Sequence, residues 1–92
     1  MILRIRPQAA NELRAAAAWY AKERLELRGQ FLDAMDATLQ RVLAAPSSFR
    51  EDLDVPGVRT ARLQRFPYRV VFLVKGDAVI VLAFAHARRR PG

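Results

Sequence analysis

Cysteine is absent from this chain, histidine occurs once, at His86, and lysine only at Lys22 and Lys75. The first absence removes disulfides and thiolate metal sites. Asp33 and Asp36 have no third ligand at convincing spacing, so neither a metal nor a cofactor is expected. No apolar run is long enough to span a bilayer, because residues 70–74 and 78–85 are separated by Lys75-Gly76-Asp77. The opening MILRIRP carries no signal-peptide pattern. Together these absences suit a cytoplasmic protein without membrane contact.

Acidic residues are missing from one part of the chain. The whole sequence has 16 Lys+Arg against 9 Asp+Glu, a formal charge of +7. Residues 1–54 hold eight of the bases and eight of the acids, which cancel. Residues 55–92 hold Arg59, Arg62, Arg65, Arg69, Lys75, Arg88, Arg89 and Arg90 against Asp77 alone. A field so one-sided attracts anions, either a nucleic acid or an acidic protein segment that covers it. The plainer reading is a solvated basic face. Arg4, Arg14 and Arg41 lie in the balanced half and serve as references for the basic one.

The length of 92 residues suits one domain, 1–92, with a small core and marginal stability. Ile2 to Ile5 reads as an edge strand. Pro7 pre-sets a first helical turn, and the Ala, Glu and Arg of residues 8–24 favour a helix. Leu13, Ala16, Ala17 and Tyr20 share one face of it. Gly29 and its neighbours read as a break or tight reversal. Phe31, Leu32, Met35, Leu39, Val42 and Leu43 stripe a second helix, which Pro46 ends. Residues 50–57 form an acidic, turn-rich connection, followed by strands over 58–66, 68–75 and 78–86.

Gly76-Asp77 suits a type II′ hairpin, since glycine takes the first loop position. That loop pairs Phe72 with Val81 and Arg69 with Phe84. One face then carries Tyr68, Val70, Phe72, Val74, Val79, Val81, Ala83 and Ala85, all uncharged, and meets the helices. The other carries Arg69, Val71, Leu73, Lys75, Ile80, Leu82, Phe84 and His86. Its apolar bulk needs a cover that two helices cannot supply on both faces, which points to a partner.

The run Phe66-Pro67-Tyr68-Arg69-Val70-Val71-Phe72, the hairpin after it and the ending Ala85-His86-Ala87-Arg88-Arg89-Arg90-Pro91 resemble the ParE branch of the RelE/ParE toxin superfamily. The N-terminal strand and its Ala/Trp/Tyr helix look similar too, so the resemblance covers nearly the whole chain. It implies an α+β fold: an N-terminal strand, an antiparallel two-helix hairpin, then a three-stranded antiparallel meander, with one small sheet packed on the helices. It also implies the toxin of a bacterial type II toxin–antitoxin pair, wrapped by the extended or helical tail of a cognate antitoxin. ParE-like members are associated with poisoning DNA gyrase, and RelE-like members cleave mRNA on the ribosome.

The residues favour the ParE branch. RelE-like enzymes draw a base, an acid and a phosphate-steadying cation from strand lysines and arginines and a tyrosine near the C-terminus. Here Arg69 and Arg88 or Arg89 match the arginine positions. No lysine lies in the strand before Phe66, and no tyrosine follows Tyr68. Arginine stays protonated and makes a poor base. His86 is then the remaining candidate base, as histidine ordinarily titrates near neutrality. The expected protein acts by binding, with Arg62, Arg65, Arg69, Arg88, Arg89 and Arg90 meeting the target. Trp19, Val71, Leu73, Ile80, Leu82 and Phe84 meet the antitoxin. The alternative is a ribosome-dependent mRNA endonuclease using Arg69, His86, Arg88 and Arg89. A basic nucleic-acid-binding module is a further alternative. For Arg69 an ion pair with Asp52, Asp54 or a helix acid competes with any functional role, and for His86 a structural cap does.

Overall fold

The computed structural model describes residues 1–87. Its elements are β1 (Ile2–Ile5), α1 (Pro7–Glu23), α2 (Leu25–Ala44), a single 3-10 turn (Pro46–Ser48), β2 (Arg50–Glu51), β3 (Val58–Arg62), β4 (Tyr68–Lys75) and β5 (Ala78–His86). The strands form one sheet in the order β1-β5-β4-β3-β2. The meander β3-β4-β5 is antiparallel, as is the short β2 beside β3. β1 lies at the edge and pairs with β5 in parallel. A parallel neighbour requires a crossover between the two strands, and here the helices and the rest of the sheet intervene. Residues 50–57 are therefore not all connection, because Arg50 and Glu51 add a fifth strand.

The helices break at Arg24 rather than at Gly29, which lies inside α2. Arg24 alone is extended, with φ −157° and ψ 138°, and it both ends α1 and starts α2. The reversal folds the two apolar stripes onto one another. The Tyr20 and Phe31 ring centroids come within 5.0 Å, and both rings meet Phe66, at 5.1 and 5.5 Å. Tyr68 joins them 5.3 Å from Phe31. This aromatic knot ties the helical turn to the Phe66-Pro67-Tyr68 corner. Each such pair contributes about 0.5–1.5 kcal/mol beyond its buried area.

Both helices cover the same face of the sheet. Ala9, Ala16, Ala17 and Tyr20 of α1 and Phe31, Met35, Leu39 and Val42 of α2 pack with Ala61, Val70, Phe72, Val79, Val81 and Phe84. Phe84 departs from the hairpin register expected from sequence. Phe72 pairs with Val81, but Val71 pairs with Ala83 and Arg69 with Ala85, so Leu82 is an extra residue in β5. This bulge flips every side chain after it. Phe84 moves into the core, 3% exposed. Ala83 and Ala85 move to the opposite face. The loop itself is as expected: Gly76 has φ +62°, while Asp77 does not share the positive φ, as a type II′ turn requires.

Candidate functional site

The face of the sheet away from the helices is uncovered by any described element. Val71 and Leu73 of β4 and Ile80 and Leu82 of β5 lie on it, half-buried and outside the core cluster. Four of the expected partner-facing residues are thus together. Phe84, the fifth strand residue in that set, is corrected to a core residue by the bulge.

Arg69 stands on the same face, opposite Arg62 of β3 on one side and Ala85 of β5 on the other. Like charges directly opposed across an antiparallel pair repel. The Arg69 Nε is buried and has no hydrogen-bond partner among the described residues. Asp52, one of the expected ion-pair partners with Asp54 and the helix acids, lines the same groove but makes no ion pair with Arg69. Its Oδ1 accepts from the N–H groups of Asp54, at 2.8 Å, and Val55, at 3.0 Å. Those two bonds hold its carboxyl below the usual carboxylate range, and the charge of Arg69 adds a smaller push in the same direction. Among the described residues the one ion pair joins Arg59 to Glu51, at 3.6 Å.

A groove of about 900 Å³ contains Arg69. It runs from Trp19 on α1 past Ala83, Ala85 and His86 of β5 to Thr60 and Asp52. Trp19 is 56% exposed at its mouth, with its ring edge-on to Tyr20 at 5.1 Å. It does not tuck beneath the strands. His86 lines the groove and meets Tyr68 ring to ring at 5.1 Å. The structure therefore brings Trp19 and Val71, expected to meet the antitoxin, together with Arg69, expected to meet the target, and His86, the candidate base of the endonuclease alternative.

The remaining basic residues separate. Arg62 has an exposed side chain, and its carbonyl accepts from Arg41 Nη2 at 3.1 Å. Arg65 lies on a different groove, of about 450 Å³, with Gln30, Asp33, Thr38 and Arg41. Its φ of 71° is uncommon for a residue with a side chain. Arg88, Arg89 and Arg90 lie outside the described residues. Among the described residues no group of three His, Cys, Asp or Glu is placed to hold a metal ion. No described helix is long and apolar enough to cross a membrane.

A family model described as the ParE toxin of the type II toxin–antitoxin system, parDE, matches residues 3–91. The chain belongs to the ParE toxin family. Among solved structures it is similar to a chain of the chromosomal ParDE TA system from P. aeruginosa. The TM-score is 0.82 at 26% identity, over 96% of this chain and 97% of that one. No curated protein sequence matches it.

In this ParE-family chain three groove residues escaped sequence reasoning. Glu12 accepts the Phe84 backbone N–H at 3.1 Å, where β1 no longer pairs with β5. It thereby caps an open strand edge from a neighbouring helix. Ala83 and Ala85 line the groove because of the bulge. Neither feature has a local signal, since each depends on contacts distant in sequence.

Proposed function

We propose that this chain is a cytoplasmic toxin that arrests growth by binding DNA gyrase and is neutralised by a cognate antitoxin. The family match supports the toxin class. The single observation that carries the binding mode is the uncovered apolar face of Val71, Leu73, Ile80 and Leu82 beside an arginine with an unsatisfied buried donor. A sheet packed on one side only needs a second layer over its other apolar side. In this reading the antitoxin supplies that layer, and Arg62, Arg69, Arg88, Arg89 and Arg90 meet the target once the antitoxin leaves.

One observation favours a second reading. Arg69 and His86 line the same groove, so a cation able to clamp a phosphate and an imidazole able to act as a base share one cavity. Controlled expression in a bacterial host separates the two. The binding toxin arrests growth, changes plasmid supercoiling and leaves mRNA intact on the ribosome, and His86→Gln retains the arrest. Defined cleavage at the ribosomal A site, abolished by His86→Gln, would establish the endonuclease instead.

A further inference from the structure

The groove around Arg69 has a chemistry that selects its occupant. From β5 it is lined by Ala83, Phe84, Ala85 and His86, and Ala83 and Ala85 give it a small apolar floor with Val71 beside them on β4. Trp19 stands exposed at one end. Arg69 lies at the other, facing Arg62 across the strand pair, with its Nε unsatisfied. From β5 across β4 to β3 is two strand spacings, about 10 Å. A segment lying across the strands therefore meets apolar floor and guanidinium within that span.

Two carboxylates line the same groove. Asp52 is at the arginine end and Glu12 at the α1 side. A polyphosphate strand passing through would be repelled by both. A single negative group seated between Arg69 and Arg62 meets two guanidinium charges against the one carboxylate of Asp52, and it relieves the mutual repulsion of the arginines. Glu12 already occupies the Phe84 N–H, so the occupant lies on the face instead of extending the sheet at that point.

We propose that the groove is a carboxylate-docking site: a Glu or Asp side chain of a partner protein segment forks onto Arg69, and the segment's apolar residues cover Ala83, Ala85 and Val71. This rests on the reading that a protein antitoxin covers the open face, and it names the residue class by which that antitoxin is recognised.

The test is NMR of the full chain, following the Arg69 Nε–H signal and the Val71 and Leu73 methyls. The probes are N-acetyl-leucyl-alanyl-leucyl-glutamyl amide, its glutaminyl twin and a short oligothymidylate. The glutamyl peptide should shift all three signals and bind about tenfold or more tightly than its twin, the effect of a charge-assisted bond. Arg69→Gln should erase that preference, and Arg69→Lys should lose most of it, since an ammonium cannot present the planar fork. Should Arg69→Gln fail to fold, Arg62→Gln, altered at an exposed side chain, should still reduce the preference. Equal binding of the two peptides, or no binding by either, overturns the proposal. So does oligothymidylate that displaces the glutamyl peptide with a steep salt dependence, which would make the occupant a nucleic acid. Growth arrest without glutamyl preference defeats this inference alone. Glutamyl preference in a chain that arrests no growth defeats the toxin reading and leaves the docking site standing.

Discussion

Arg69 is half-buried, opposed by a like charge and short of a partner for one donor. Residues so placed are costly unless something binds them. We expect Arg69→Gln to reduce growth arrest strongly while melting close to wild type. Arg28→Gln, exposed on α2, should leave both unchanged. Arg41 is no longer a suitable reference. Its guanidinium holds the Arg62 carbonyl and lies 5.8 Å from the centre of the Phe49 ring. Circular dichroism and melting of each purified variant check the folding side. Toxicity that falls only in step with melting would make Arg69 structural. Tyr20 gives a separate expectation. Burial, then the nearby Tyr68, raise its pKa above 10.0. Its neutral form therefore contributes fully below that pH, and the contribution is lost as pH rises through the folded value. Tyr20→Phe should flatten the fall in melting temperature measured above about pH 10. For Asp52 the sign reverses. Its lowered pKa makes its contribution full above 3.8 and lost as pH falls through the folded value.

Among the elements, α2 offers the simplest test of the helical turn. Gly29 sits within that helix, and a Cβ built on it meets nothing within 4 Å. Gly29→Ala should raise stability by about 0.5–1 kcal/mol in denaturant melts, whereas a break at this position would make the change neutral or harmful. The β4–β5 hairpin provides the second. Phe84→Ala should cost about 3–5 kcal/mol as a core deletion, and Leu82→Ala much less until a partner covers the open face. Had the unbroken register held, the two effects would be alike. Much of this architecture was legible. Pro7, the Leu13-to-Tyr20 stripe, the Phe31-to-Val42 stripe, Pro46 and Gly76-Asp77 are all local signals, and each element they mark is present. The β1 edge strand was legible as well, though not its parallel neighbour. The break at Arg24 was not, because arginine has good helix propensity and only the tertiary meeting of Tyr20 with Phe31 rewards the reversal. The Leu82 bulge was equally silent, since one inserted residue leaves the apolar composition of β5 unchanged. The groove suffered most from that silence. Arg69 and Val71 were identified from strand position, but the floor of Ala83 and Ala85 and the cap from Glu12 follow from the bulge and from packing.

At the level of the whole molecule, charge and apolar surface coincide. The basic excess lies in residues 55–92, and the open face belongs largely to that same segment. A layer laid over this face would bury Val71, Leu73, Ile80 and Leu82 together. A cognate antitoxin should therefore raise the melting temperature of the chain markedly. Linkage amounts to about 2.7 kcal/mol at a hundredfold excess over the dissociation constant. A midpoint unmoved by saturating antitoxin would show that the face is complete without it. The most direct measurement is DNA supercoiling by purified gyrase with the purified chain added and no ribosome present. Wild type and Arg28→Gln should inhibit equally, and Arg69→Gln should need about tenfold more protein or above. Gyrase left fully active by the folded chain, at a concentration that cuts mRNA on translating ribosomes, would contradict the binding toxin.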